Sequence, residues 1–174
     1  MKTILESLRI LFALTALTGV AYPLVVTGIA RVAFHEQAAG SVGPQGSTLL
    51  SQKTEGPKYF WPRPSAGDFA TVASGASNKG PTSADLARAI EERRQKFGKD
   101  APDDLLTASG SGLDPHLSPA AARYQAPRVA AERQIAVVRV NALIDEHTEG
   151  PQFGILGEPR VSVLALNRAL DGLK

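Results

Sequence analysis

The 174 residues contain no cysteine, which removes disulfides, thiolate catalysis and cysteine-ligated zinc together. Histidine is scarce, and His35, His116 and His147 lie far apart, so no zinc site is expected. Charge of one sign is lacking as well. With 19 Lys+Arg against 17 Asp+Glu, the net charge of +2 is too weak to drive nucleic-acid binding through a basic surface. The length excludes a large multidomain enzyme, and no repeat period is visible.

The chain also lacks a complete catalytic motif. Residues 75–82, Gly-Ala-Ser-Asn-Lys-Gly-Pro-Thr, have the glycine spacing of a phosphate loop, but Pro81 stands where the lysine belongs and removes an amide donor. Residues 110–115, Gly-Ser-Gly-Leu-Asp-Pro, begin like a dinucleotide fingerprint without its third glycine. No G-x-S-x-G elbow surrounds Ser109 or Ser111. Ser111, Asp114 and His116 are the residue types of a hydrolase triad, yet triad members converge from separate elements rather than from one six-residue turn. Asp103, Asp104, Asp114 and His116 lack regular ligand spacing and read as turn and capping residues, so no metal site is expected.

What is present is an uneven distribution of apolar residues. Ile10 to Ala30 form 21 residues without a charge, and 15 of them are apolar. As a helix rising ~1.5 Å per residue this stretch covers roughly 30 Å, the thickness of a bilayer's hydrocarbon core. Gly19 and Gly28 permit close helix approach, and Pro23 is expected to remove a hydrogen bond and kink the helix. The run is too long for a signal-peptide core and has no clean cleavage site beyond 38–40, Ala-Ala-Gly. A buried core helix would carry a polar face, and this one carries only threonines. A retained anchor over residues 1–34 fits best. Lys2, Arg9 and the α-amino group precede the span and Arg31 follows it, a bias that puts the N-terminus in the cytoplasm and residues 35–174 outside.

From His35 to Pro81 no helical period survives, and seven glycines and five prolines punctuate the stretch. Tyr59, Phe60, Trp61 and Phe69 supply four of the ten aromatics within it. They imply either a loop pinned to its own core or an exposed aromatic and arginine patch for a partner protein. Beyond it the pattern predicts helices. Thr82 or Ser83 caps one that carries Leu86, Ile90 and Phe97 and ends at Gly98. Leu105–Ala108 reads as a short strand. Ser118 and Pro119 open a helix through Tyr124, and Pro127 opens or kinks the next. Residues 136–147 continue in helical register, Arg160–Val163 read as a strand, and a last helix carries Leu166, Leu170 and Leu173. The expected fold class is α+β: a single N-terminal transmembrane helix followed by one α+β extracytoplasmic domain. The residues alone favour a membrane-anchored accessory or binding domain, with an anchored or secreted hydrolase of unrecognised site as the alternative.

Several ordered segments resemble one family, the C subunit of the bacterial Kdp-type potassium-transporting ATPase. They are 19–24 (Gly-Val-Ala-Tyr-Pro-Leu), 46–50 (Gly-Ser-Thr-Leu-Leu), 59–66 (Tyr-Phe-Trp-Pro-Arg-Pro-Ser-Ala) and 74–78 (Ser-Gly-Ala-Ser-Asn). Further on come 104–116, 118–122, 125–130 (Gln-Ala-Pro-Arg-Val-Ala) and 157–167 (Gly-Glu-Pro-Arg-Val-Ser-Val-Leu-Ala-Leu-Asn). Ser51 and Ser162 depart locally from the family's pattern. The resemblance implies a non-catalytic subunit of an ATP-driven potassium importer in the bacterial inner membrane. It supports assembly and raises the ATP affinity of a P-type ATPase subunit, while ATP and potassium are handled by the complex and no cofactor is bound directly. The implied partners are a potassium-translocating channel-like subunit, the P-type ATPase subunit, a small membrane peptide and the lipid bilayer, with no nucleic acid. Partner-contact candidates are Gly19, Pro23, Gly28, Tyr59, Phe60, Arg63, Asn78, Ser111, Asp114, His116, Gln125 and Arg128; no catalytic residue is expected.

Overall fold

The structure, a computed structural model, describes residues 2–173. It divides into two compact units, one running through Gln45 and the other starting at Gly46.

The first unit is dominated by a helical stretch from Lys2 to Ala33, long and apolar enough to cross a membrane, none of whose most apolar window is buried. It comprises α1 (Lys2–Ala16), a π-helical turn (Leu17–Ala21) and α2 (Tyr22–Ala33). The π turn explains how Pro23 is tolerated. Proline has no amide hydrogen and its ring collides with the carbonyl four residues back. Here the backbone widens just before it, and the Tyr22 amide donates to the Leu17 carbonyl, five residues back. The Thr18 hydroxyl adds a bond to the Leu14 carbonyl at 2.7 Å. A four-residue helix α3 (His35–Ala38) follows, and two-residue extended pieces β1 (Val42–Gly43) and β2 (Gly46–Ser47) flank the boundary between the units.

The second unit mixes helix and sheet. After an irregular stretch come α4 (Ala84–Phe97), α5 (Asp103–Leu106), β3 (His116–Leu117), α6 (Pro119–Arg133), α7 (Val137–Glu146), β4 (Thr148–Glu149), β5 (Arg160–Ser162) and α8 (Val163–Gly172). The antiparallel sheet runs β3-β5-β4, with Leu117 opposite Val161 and Thr148 opposite the same Val161. Its buried side chains join Phe60, Leu105, Val129, Val140, Ile144, Leu166 and Leu170 in one core.

Helix starts follow their capping residues. Ser83 accepts the Leu86 amide, Ser118 accepts the Ala121 amide ahead of Pro119, and Ser162 accepts the Ala165 amide. Two expectations require correction. Residues 105–108 do not form a strand: Leu105 and Leu106 are both buried within α5, and adjacent side chains of a strand would point to opposite faces. Pro102 and two aspartates at its first turn favour the helical alternative. Pro127 does not open a new helix either, because α6 runs unbroken from Pro119 to Arg133. The Pro127 ring is exposed while Ala122, Ala126, Val129 and Ala130 are buried opposite it, and that packed face outweighs one missing hydrogen bond.

Candidate functional site

Residues 56–64 form a strap across α6 and α8. Residues 57–58 form a turn, and beyond it Pro62 and Pro64 restrict Trp61 and Arg63 toward extended backbone. Among the described residues no strand pairs with it, so its peptide groups need partners from elsewhere. Two side-chain amides supply them. Asn167 on α8 accepts the Phe60 amide at 2.8 Å and donates to the Phe60 carbonyl at 3.0 Å. Gln125 on α6 repeats the arrangement one residue on, accepting the Trp61 amide at 2.9 Å and donating to its carbonyl at 3.0 Å. Each amide thus takes the place of a neighbouring strand's peptide unit.

Two arginines of α6 extend the row. Arg128 donates to the Pro57 carbonyl, to the Tyr59 carbonyl at 3.0 Å and to Gln125 Oε1 at 2.8 Å. Arg133 donates to the Lys58 carbonyl at 2.7 Å, to the Leu170 carbonyl at 2.9 Å and to Asp171 at 2.7 Å. Five successive carbonyls, from Pro57 to Trp61, therefore each accept from a side chain of α6 or α8. The Trp61 indole donates back to the Gly56 carbonyl at 2.9 Å. Its ring carries the Arg128 guanidinium 3.8 Å from its centroid and Lys96 Nζ at 4.4 Å, and it meets Phe97 edge-on at 5.6 Å. Burial pushes the Arg128 pKa below its ordinary value, an effect that nearby Glu132 partly offsets. Arginine stays charged regardless, so the burial is matched by the carbonyls and the ring rather than by loss of a proton.

A second group gathers beside β3. Arg63 Nη1 lies 3.2 Å from Asp114 Oδ2, and its Nε is 4.0 Å from Asp104 Oδ1. Asp114 Oδ1 accepts the His116 amide at 3.0 Å, and Asp104 Oδ2 accepts the Ser118 amide at 2.8 Å. The His116 ring stands 3.6 Å from Asp114. These residues, with Glu158 and Arg160, line a shallow cleft of about 240 Å³. The loop leading into it packs inward: Ser51 donates its amide to the Leu113 carbonyl at 2.8 Å, and Ser109 donates to the Pro64 carbonyl at 3.0 Å. Gly112 has φ +71°, and a Cβ there would stand 2.9 Å from the Gly75 carbonyl oxygen, so glycine is required.

The twelve residues singled out in the sequence thus fall into several places. Tyr59, Phe60, Gln125 and Arg128 converge on the strap; Arg63, Asp114 and His116 converge on the cleft. The aromatic loop is pinned to its own core, with Phe60 fully buried, so its ring is no surface for a partner. Ser111 accepts the Leu113 amide at 3.1 Å in a local turn bond. Asn78 adopts φ 52° in an exposed loop, a conformation asparagine tolerates. Gly19, in the π turn, and Gly28, in α2, both have room for a Cβ. Sequence reasoning missed Asn167 and Arg133 as strap holders. Asn167 sits one position from Leu166 and three from Leu170 on the apolar side of the last helix, and a polar residue there was the available signal.

Comparison with known proteins places this arrangement. Residues 4–172 match the family KdpC, described as K+-transporting ATPase, c chain. Among similar curated proteins is the potassium-transporting ATPase KdpC subunit of Paraburkholderia phytofirmans, 48% identical over 100% of this chain and 99% of its own. Those of Dechloromonas aromatica (48% identical, 99% of each chain) and Cereibacter sphaeroides (50% identical, 95% of this chain and 94% of its own) are likewise similar along nearly their whole length.

Proposed function

We propose, from the premise that this chain belongs to the KdpC family of K+-transporting ATPase subunits, that it is the non-catalytic, membrane-anchored subunit that holds such a complex together. Its partners are a potassium-translocating channel-like subunit, a P-type ATPase subunit and a small membrane peptide. The observation that carries this reading is a helix of membrane-crossing length with no buried residue, joined to a domain whose most conspicuous polar side chains hold its own backbone. Exposed apolar surface of that length needs lipid and neighbouring helices, and the polar side chains of the strap are engaged with its backbone.

The N-terminus lies in the cytoplasm and the second unit in the periplasm, following the Lys2 and Arg9 bias. ATP is cytoplasmic, so the subunit raises the ATP affinity of the ATPase indirectly, as a coupling free energy passed through partner helices. Affinity purification of the full chain from membranes tests the assembly role: a P-type ATPase and a polytopic channel-like subunit are expected with it, and recovery of neither would overturn the reading. A reporter active only in the cytoplasm, fused after Lys174, is expected to be silent. ATP affinity of the complex without this chain is expected to fall by roughly 5–150-fold, the ordinary range of such coupling; an unchanged value would leave assembly as the whole role.

A further inference from the structure

Between the irregular segment 50–54 and α8 lies a cavity of about 30 Å³, lined by Ser51, Gln52, Thr54, Pro115, Val163 and Asn167 together with two leucines. Ser51 is 6% exposed. Its amide donates to the Leu113 carbonyl at 2.8 Å, which fixes the residue in place. Its hydroxyl, however, is shut off from solvent and has no hydrogen-bond partner among the described residues. A buried hydroxyl left so is destabilising, and native interiors pair such groups with protein or with water. Gln52 and Thr54 are bonded within their own segment, to the Ser47 carbonyl at 3.1 Å and the Gln52 carbonyl at 3.4 Å. Asn167, 8% exposed, gives one amide hydrogen and one lone pair to Phe60. Its Nδ2 keeps a second hydrogen and its Oδ1 a second lone pair. Two buried polar side chains with unused bonding capacity thus border one small cavity.

We propose that one ordered water fills this cavity and bonds to the Ser51 hydroxyl and to the spare capacity of Asn167, tying residues 50–54 to the clasp that holds Phe60. Size and chemistry select this occupant. The volume exceeds the roughly 10–15 Å³ that one water requires and leaves no room for a ligand of several heavy atoms. An apolar cavity stays dry, whereas one that offers polar partners holds water. A cation stripped of its hydration shell would need an opposing charge to offset desolvation, and no lining residue carries one. A bridging water is enthalpically nearly as good as a direct hydrogen bond. It therefore gives the 50–54 segment a second attachment beside the Ser51 amide and braces the side chain on which the buried part of the strap depends.

Two measurements on the full chain test this. Ser51→Ala removes the hydroxyl and little volume, and its effect on the unfolding of the second unit has opposite signs in a wet and a dry cavity. With the water bound, the substitution strips it of a partner, and the folding equilibrium constant from urea unfolding in detergent is expected to fall about fivefold. In a dry cavity the same substitution relieves an unpaired hydroxyl and the constant rises; a raised or unchanged constant would overturn the proposal. The second measurement is a crystal structure of the full chain grown with rubidium in place of potassium. One density peak without anomalous signal is expected within about 2.6–3.2 Å of both Ser51 Oγ and an Asn167 amide atom. A cavity without density, a rubidium signal inside it, or a Ser51 hydroxyl bonded directly to a protein atom defeats the proposal.

Discussion

Four side chains hold five consecutive carbonyls, and two of the holders, Gln125 and Arg128, are bonded to each other and therefore coupled. Asn167→Ala leaves the amide and carbonyl of buried Phe60 without partners and is expected to destabilise the chain by about 3 kcal/mol, at 1–3 kcal/mol per unsatisfied group. Gln125→Ala removes the same pair of bonds from half-exposed Trp61, where water replaces part of the loss, and is expected to cost about 1–2 kcal/mol. Urea unfolding of the full chain in detergent checks both. The readout is built in, since Trp61 is the chain's one tryptophan and lies under Arg128 in the strap itself. At this scale the sequence marks Tyr59 and Phe60 as clustered aromatics that have to pack or dock, and Gln125 and Arg128 only through resemblance. A glutamine in a helix looks solvent-exposed until its partner is known, and that partner is 64 residues away. Asn167 shows only as a polar residue on an apolar helix side, and its partner lies 107 residues away.

Among the elements, starts are easier to read than continuations. Ser83, Ser118 and Ser162 cap helices by contacts with residues three positions on, and such local chemistry is visible in a single sequence. Pro127 and Leu105–Ala108 mislead a local reading because tertiary burial decides them. Because α6 persists through Pro127 on the strength of its buried face, Pro127→Ala restores an amide donor at an exposed position. It is expected to raise stability by about 1 kcal/mol, net of the greater freedom of the unfolded chain; a lower midpoint would show the ring to be doing something else. Gly112→Ala should act oppositely, losing about 2 kcal/mol or more through its left-handed φ and the Gly75 carbonyl oxygen 2.9 Å from the added carbon, measured by the same unfolding curve.

For the whole molecule, the composition conceals a division that the structure makes plain: one exposed apolar helical stretch and one domain with a single core. Both are legible in outline, since an uncharged run of 21 residues needs no tertiary information. What fits against the span is not recorded in the chain's own packing. A Cβ added at Gly19 would meet only a Thr15 methyl, at 3.9 Å, and one at Gly28 would meet nothing within 4 Å. Gly19→Leu and Gly28→Leu should therefore leave the unfolding of the second unit unchanged while lowering co-purification of the proposed channel-like partner; its full recovery would show that neither glycine touches it. The strap also dictates an order of events during synthesis. Phe60 leaves the ribosome long before Asn167, which clasps it, so α6 can take hold of Pro57, Lys58, Tyr59 and Trp61 first while Phe60 waits for α8. Its clasp is a late, long-range step, of the kind that slows folding, and a newborn domain lacking its last helix leaves the Phe60 peptide groups without their partner.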